Sequence, residues 1–180
     1  MTFDTIVVGA GMVGVLTAWE LVQRGARVCL LDAGEVSGGT TGLGEGNVLC
    51  SDKDAGPELD LSVLALAMYA DIEAWLGPEA RIRRKGALIV HPDARTWAAE
   101  PARAERLRAA GVAAELLTPA ELLACEPELT GAVHGALHVP GDLQCDPRGI
   151  VRALARRAAA EGADVREHTR VASLVVEAQT

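Results

Sequence analysis

The sequence has very few aromatic residues: one Phe, one Tyr and three Trp among 180 residues. Hydrophobic residues nevertheless make up 49% of the chain, so Ala, Val and Leu have to supply most of the core. A chain of this length can enclose one sizeable hydrophobic core. The composition therefore predicts a folded protein with an aliphatic interior.

An excess of positive charge is also lacking, since the formal net charge is −8. Such a chain has no general attraction for nucleic acid or for an anionic membrane surface. The basic cluster at residues 81–85 is short, and a solvated entry to a strand explains it. No apolar run reaches membrane-spanning length. We therefore expect neither nucleic acid nor a membrane as a partner.

Cysteine pairs with metal-binding spacing are absent. The four cysteines form no Cys-x-x-Cys pair and have no spacing typical of zinc sites: Cys29, Cys50, Cys125 and Cys145. Nothing in their placement indicates an oxidising compartment. The start of the chain has no basic region and leads directly into a glycine motif, so we expect no signal peptide and a cytoplasmic protein.

Histidine ligands are scarce as well. His134 and His138 are four residues apart, but Gly135 and the adjacent predicted strand argue against the helix that would place them on one face. His91 precedes Pro92 in a predicted turn, and we expect it at the surface. The sequence therefore predicts no metal site.

Residues 4–32 carry the most informative pattern that is present. A short β-branched run over 5–8 is typical of a buried parallel strand. A glycine motif and apolar residues at helical spacing over 12–24 follow, and residues 27–31 predict a second buried strand. Asp32 stands at the carboxyl end of that strand. Strand, glycines, helix, strand and acid in this order predict a dinucleotide-binding βαβ unit.

The glycines of the Gly-x-Gly-x-x-Gly motif have separate physical roles. Gly9 allows the tight turn, Gly11 lets a pyrophosphate approach the backbone, and Gly14 lets the helix pack against the strand. The free N–H groups at the helix start, together with the helix dipole, favour a diphosphate. Asp32 is suited to accept hydrogen bonds from a ribose hydroxyl, which argues against a 2′-phosphate ligand and is compatible with NAD and with FAD.

Residues 33–50 form an unusually long loop with six glycines and the adjacent hydroxyls of Thr40 and Thr41. Ordering glycine costs conformational entropy, so an ordered loop of this kind needs a reason. Wrapping the backbone around a large planar ligand is one such reason. The alternative is a flexible linker, which Val48, Leu49 and the helix that follows argue against.

The rest of the chain alternates between helices and strands. Helices are predicted over 57–76, over 93–110, from 118 and over 146–162, and strands over 83–90, 135–140, 163–167 and 171–177. This order predicts an α/β fold in which a Rossmann-like domain, residues 1–80 and 144–180, is interrupted by an inserted α+β segment, residues 81–143.

Four stretches together resemble the D-amino-acid oxidase/glycine oxidase (DAO) family of FAD-dependent oxidoreductases. They are the motif that ends at Asp32, the loop over 39–47, the strand entry over 84–88, and residues 140–147 with the following helix and 167–171. Their order and spacing are distinctive when taken together. The resemblance extends over essentially the whole chain. It implies that members of the family are about twice as long as this chain.

The resemblance implies FAD as the cofactor, a glutathione-reductase-type FAD-binding domain and a substrate domain to which the inserted segment belongs. The glycine motif and the threonine pair would hold the diphosphate, and the end of the second strand would hold the adenosine ribose. Residues 45–47 would pass the flavin ring, and the backbone of residue 171 would meet the adenine. The implied cofactor-binding residues are Gly9, Gly11, Met12, Val13, Gly14, Asp32, Ala33, Thr40, Thr41, Glu45, Gly46, Asn47 and Val171.

The implied reaction is oxidation of the C–N bond of an amino acid or secondary amine by hydride transfer to the flavin. Glycine, sarcosine, D-amino acids and imino acids are the implied substrate types. No catalytic residue is carried over, because the family's substrate-carboxylate arginine comes from a part of the fold beyond this chain. Glu45 replaces a residue that is more often small in the family, and its carboxylate is a candidate group that faces the substrate.

The same comparison with the family pattern predicts that this chain is truncated. We expect an N-terminal part, or one half of a split enzyme, whose partner is a missing C-terminal half or subunit. The apolar strand predicted over 171–177 would need further strands beside it. Two alternatives from the residues alone are an NAD-dependent Rossmann dehydrogenase domain and an inactive nucleotide-binding remnant.

Overall fold

In the computed structural model, residues 2–176 are described. They form two compact units: the first takes in residues 2–46, 76–81 and 146–176, and the second takes in 47–75 and 82–145. The strands are β1 (Thr5–Val8), β2 (Val28–Leu31), β3 (Asn47–Val48), β4 (Ala87–His91), β5 (Glu115–Leu117), β6 (Gly135–Val139), β7 (Leu143–Gln144) and β8 (Asp164–Arg166). The helices are α1 (Met12–Gln23), α2 (Thr40–Leu43), α3 (Pro57–Leu76), α4 (Ala94–Trp97), α5 (Glu100–Ala109), α6 (Pro119–Cys125) and α7 (Pro147–Ala160), with a 3₁₀ helix over Gly77–Ala80.

The first unit is built on a parallel sheet with the strand order β1-β2-β8. Thr5 lies opposite Val28, and Cys29 lies opposite Asp164. In the central strand β2, Val28, Cys29 and Leu30 are all buried. A central parallel strand is covered on both faces, which is why its sequence is a continuous apolar run. The predicted α/β fold with a Rossmann-like sheet is confirmed.

Helices α1 and α7 pack against each other in the first unit. Helix α1 buries Val15 and Trp19, and the indole N–H of Trp19 donates to a carboxylate oxygen of Glu161 at 2.7 Å. Strand β1 is different, because its Ile6 and Val8 side chains are 57% and 61% exposed. One face of β1 is therefore largely uncovered within the described part of the chain.

Helix α7 begins where its sequence predicts because Asp146 caps it and Pro147 occupies its first position. The Asp146 carboxylate accepts the backbone N–H groups of Arg148 at 3.1 Å and Gly149 at 2.9 Å, and it pairs with Arg81 at 3.2 Å. The Gly149 N–H and the Arg81 guanidinium hold the pKa of Asp146 below its usual value. A β-carbon on Gly149 would lie 2.6 Å from this carboxylate, so the cap requires glycine there.

The second unit contains two antiparallel sheets, β3-β7 and β4-β6-β5. Helices α3 and α5 contribute Leu59 and Leu107 to a core that also includes Leu137 and Val139 of β6. These four side chains are at most 1% exposed. The apolar face of α3 therefore belongs to the core of the second unit.

Asp142 is fully buried in the second unit. Its two carboxylate oxygens accept the N–H groups of Cys50 at 2.8 Å and Ser51 at 3.1 Å, and its carbonyl oxygen accepts the N–H of Gly86 at 3.0 Å. Burial, and then the nearby Asp142 carboxylate, raise the pKa of the Cys50 thiol to about 11. Cys50 is therefore a neutral core thiol at physiological pH. Asp142 connects the segment at Cys50 and Ser51 to the segment at Gly86 through hydrogen bonds.

The single helix predicted over 93–110 is wrong, since the structure has α4 and α5 with a break between them. Pro101 lies in the first turn of α5. Proline has no N–H, and its ring clashes with the carbonyl four residues earlier, so one continuous helix is blocked. Glu100 and Trp97, at the break, cover His91, whose Nε2 lies 3.4 Å from a Glu100 oxygen. The expectation that His91 lies at the surface is therefore also wrong, since it is 7% exposed.

The last predicted strand, 171–177, is wrong over 171–176, where the chain has no regular secondary structure. Residue 177 lies outside the described residues. Leu174, Val175 and Val176 are 84–90% exposed. An apolar β-branched sequence forms a strand only beside another backbone with which it can pair. The described part of the chain supplies no such neighbour here.

The units differ in their bounds from the predicted domains. The prediction grouped residues 47–75 with the cofactor-binding part, whereas their contacts place them with 82–145. The reason is the buried face of α3, which packs on α5 and β6 side chains. The assignment of the two units to cofactor and substrate binding stays a prediction.

We expect Asp142→Ala to lower the free energy of unfolding by about 2–4 kcal/mol, because the change leaves two buried N–H groups without an acceptor. Urea denaturation followed by circular dichroism measures this loss. The matched control is Asp71→Ala, which removes an exposed carboxylate of α3 and is expected to change stability by less than about 0.5 kcal/mol. Equal losses in the two variants would contradict the role of Asp142.

Candidate cofactor-binding site

The turn between β1 and α1 depends on two glycines. Gly9 has φ +106°, a left-handed value that favours glycine, and its N–H donates to the Leu31 carbonyl at 2.7 Å. A β-carbon on Gly14 would lie 1.8 Å from the carbonyl oxygen of Gly9 and 3.5 Å from the Val7 side chain. The first glycine therefore permits the turn, and the second lets α1 lie directly against it.

The start of α1 is open to an anion. Its N-cap residue is Gly11, which has no side chain to bond the helix N–H groups, and the first turn contains no acidic residue. The Met12 N–H donates to the Thr41 hydroxyl oxygen at 3.2 Å, and a β-carbon on Gly11 would lie 3.0 Å from the same oxygen. Val13, the next residue, is 80% exposed. A helix start that faces solvent and has no side chain at its N-cap residue is suited to hold a phosphate.

The Asp32 carboxylate lies beside this turn and is half-buried. One of its oxygens accepts the Ala10 N–H at 2.6 Å, and the other accepts the Gly34 N–H at 2.8 Å. Its carbonyl oxygen accepts the Thr169 N–H at 2.6 Å. A carboxylate has about four acceptor positions, so two remain for hydroxyl groups of a bound sugar. Ala33, the next residue, is exposed.

The loop after Asp32 is fastened to the first unit at several points. The Val36 N–H donates to a Glu167 carboxylate oxygen at 2.6 Å, and Glu35 pairs with Arg152 at 2.8 Å. The Ser37 N–H donates to the Ala10 carbonyl at 2.9 Å. Ser37 is buried with φ +61°, and within residues 2–176 its hydroxyl has no hydrogen-bond partner. This loop is therefore held in one conformation and does not behave as a linker.

The predicted threonine pair lies at the start of α2. Thr41 faces the start of α1 through its bond to the Met12 N–H, whereas Thr40 is exposed. A β-carbon on Gly42 would lie 1.9 Å from the Ser37 carbonyl oxygen, so the close approach of α2 to the preceding loop requires glycine.

Three of the predicted contacts with the flavin ring follow α2. Glu45 is exposed, and Gly46 has the left-handed value φ +76°. Asn47 belongs to the second unit, where it begins β3 opposite Gln144. Val171, the predicted backbone contact with the adenine, is half-buried in the first unit and has no regular secondary structure.

A cavity of about 550 Å³ opens beside Asp32. It is lined by Asp32, Gly34, Glu35, Gly38, Gly39, Arg148 and His168. Of these residues, the sequence analysis singled out Asp32 individually and placed Gly34, Glu35, Gly38 and Gly39 in the loop predicted to wrap around a ligand. Arg148 carries no sequence pattern of its own, and the start of α7 brings it to this cavity.

Residues 2–176 contain neither a cluster suited to a metal ion nor a helix suited to a membrane. No group of three or more His, Cys, Asp or Glu side chains in that range is placed to hold a metal ion. None of the described helices is both long enough and apolar enough to cross a membrane.

The parallel βαβ unit, the glycine turn, the open helix start and the carboxylate at the end of β2 define a dinucleotide-binding domain of the Rossmann type. Comparison with known families gives the more particular assignment. The chain belongs to the DAO family of FAD-dependent oxidoreductases, whose family model matches residues 4–180.

Individual relatives agree with this family. The chain is 30% identical over 178 residues to a glycine oxidase of Geobacillus kaustophilus. The matched region covers 94% of this chain and 47% of the relative. A crystal structure of glycine oxidase from the same organism superposes with a TM-score of 0.87 at 26% identity, over 94% of this chain and 47% of that one. An L-proline dehydrogenase structure from P. horikoshii gives 0.88 at 25% identity, over 96% and 46%. The chain thus spans about half the length of these relatives.

We expect Gly14→Ala to destabilise the first unit by about 1–3 kcal/mol or more, because the new methyl group would overlap the Gly9 carbonyl. Urea denaturation measures the change. Gly141→Ala is the control, since a β-carbon there meets nothing within 4 Å. If the two variants were equally stable, α1 would not pack against the turn as described.

Proposed function

We propose that the first unit binds FAD and that the chain takes part in oxidising the C–N bond of a small amino acid or secondary amine. The observation that carries this proposal is the open start of α1 beside Asp32, in a chain that belongs to a family of FAD-dependent oxidoreductases.

The residues present fit the adenosine diphosphate part of FAD. The glycines at 9, 11 and 14 leave the backbone of the turn bare, and any β-carbon at 11 or 14 would meet a neighbouring oxygen. The N–H groups of the first turn of α1 and the Thr41 hydroxyl would hold the diphosphate. Asp32 would accept hydrogen bonds from the ribose, and the backbone near Val171 would lie by the adenine. Glu45 and Gly46 would lie toward the flavin ring.

The relatives indicate the class of substrate. Glycine oxidase and L-proline dehydrogenase are named for substrates that share a C–N bond next to a carboxylate. FAD, when bound, supplies the two-electron acceptor for oxidation of such a bond. This chain's part is to bind and orient the cofactor, and Glu45 is its one proposed group on the substrate side.

The family assignment argues against the alternative of an NAD-dependent dehydrogenase domain. The ordered loop over 33–39 also differs from the short connection of an ordinary NAD domain, in which a helix follows the second strand within a few residues. An inactive nucleotide-binding remnant remains the second outcome of the tests below.

We further propose that a C-terminal half, in the same polypeptide or as a separate subunit, completes the enzyme. Two observations support this proposal. The chain matches 47% of the glycine oxidase, and the Ile6 and Val8 side chains of β1 are more than half exposed. Apolar side chains in adjacent outward positions of a strand are typical of a surface that another segment covers.

The purified 180-residue chain is expected to retain FAD, which a visible flavin spectrum after gel filtration would detect. Asp32→Ala is expected to weaken FAD binding at least tenfold in fluorescence titrations, because the ribose and the Ala10 and Gly34 N–H groups all lose their acceptor. Asp71→Ala is the control, since it removes an exposed carboxylate of the second unit. A folded chain that retains no FAD would contradict the proposal.

The second proposal is tested with a polypeptide that corresponds to the part of the glycine oxidase beyond this chain. We expect a 1:1 complex by light scattering, which Val8→Ser weakens about tenfold because it removes apolar contact. Leu123→Ser, at a 41% exposed position of the second unit, is the control. Absence of any complex, or equal weakening by both variants, would contradict docking on β1.

A further inference from the structure

Four arginines lie together in the first unit, and three of them have carboxylate partners. Arg81 pairs with Asp146 at 3.2 Å. Arg152 pairs with Glu35 at 2.8 Å, and Arg156 pairs with Glu79 at 2.6 Å. These pairs largely neutralise the positive charge of this surface.

Arg148 is the exception. No carboxylate of residues 2–176 lies within ion-pair distance of its guanidinium. Its side-chain contact is a long hydrogen bond of 3.4 Å from Nη2 to the Gly42 carbonyl oxygen. The guanidinium therefore keeps an uncompensated positive charge and most of its five N–H donors.

Arg148 is exposed, and it has one contact at its backbone and another along its side chain. Its backbone N–H is bonded to the Asp146 carboxylate at the start of α7. Its side chain lies against α2, where Nε would be 3.1 Å from a β-carbon on Gly42. The neighbour of Gly42 is Thr41, whose hydroxyl accepts the Met12 N–H at the start of α1. The guanidinium is thus placed next to the segment that carries Thr41, a residue of the proposed diphosphate site.

The cavity beside Asp32 contains both the Arg148 guanidinium and Asp32, the proposed acceptor for the ribose hydroxyls. Asp32 and Arg148 both line its 550 Å³, together with the backbone of Gly38 and Gly39. A carboxylate at one point and an unpaired guanidinium at another match a ligand that carries hydroxyl groups and a phosphate. The glycines leave room for that ligand to lie along the backbone.

We propose that Arg148 is a cofactor-binding residue that contacts a phosphate of the adenosine diphosphate part of the ligand. The proposal deepens the proposed function, since it rests on FAD binding by the first unit. A planar guanidinium forms two parallel hydrogen bonds to phosphate oxygens, which an ammonium group does not reproduce. Arg148 would therefore contribute to recognition of the diphosphate and not of the nucleoside.

Titration calorimetry of the full chain with ADP and with adenosine tests this assignment. Arg148→Ala is expected to weaken ADP binding at least tenfold and to change adenosine binding less than twofold. Arg148→Lys is expected to recover only part of the loss. Arg24→Ala is the control, because it removes an exposed, paired arginine of the same unit and is expected to leave both affinities unchanged. Thermal melts of the variants check that each remains folded.

The outcomes separate the two proposals. If the wild-type chain binds FAD and ADP and Arg148→Ala binds ADP equally well, the assignment of Arg148 is overturned and the proposed function stands. An equal loss for ADP and adenosine would also overturn it, because Arg148 would then act on the nucleoside or on the fold. A folded wild-type chain that binds neither FAD nor ADP would overturn the proposed function and the Arg148 assignment together.

Discussion

The first unit depends on the Asp32 carboxylate, which joins the turn after β1 to the turn after β2. One oxygen accepts an N–H from the glycine turn and the other accepts one from the loop that follows β2. The Thr169 N–H, bonded to the Asp32 carbonyl, adds the segment after β8. A single half-buried residue therefore brings the carboxyl ends of three parallel strands together, and ligands of open α/β sheets bind at such ends.

Backbone supplies most of what surrounds this carboxylate. Gly14 and Gly42 are each positioned so that a β-carbon would come within 2 Å of a carbonyl oxygen. The chain can approach itself this closely only without side chains, and Gly11 likewise places no side chain over the start of α1. The two arrangements have one cause, which is the absence of side chains at these glycines.

The charged side chains near Asp32 are of two kinds, those that form ion pairs and one that does not. Glu35 and Asp146 each neutralise an arginine, and Asp146 also caps α7. Arg148 follows that cap and has no carboxylate partner in the described part of the chain. A phosphate could therefore pair with this guanidinium without displacing a carboxylate. This unpaired charge is the physical basis for the proposed role of α7 in cofactor binding.

The sequence by itself determined the local elements whose causes are local. The Gly-x-Gly-x-x-Gly turn, the apolar strand β2, the acid after it and the Asp146-Pro147 start of α7 follow from backbone sterics, burial and capping. Tertiary structure decided what depends on neighbours distant in the chain. It placed α3 in the core of the second unit, buried His91 beside Glu100, and left residues 171–176 without strand structure, because a strand requires a backbone beside it. It also brought Arg148 into the cavity of Asp32, a juxtaposition of residues far apart in sequence that no local pattern records.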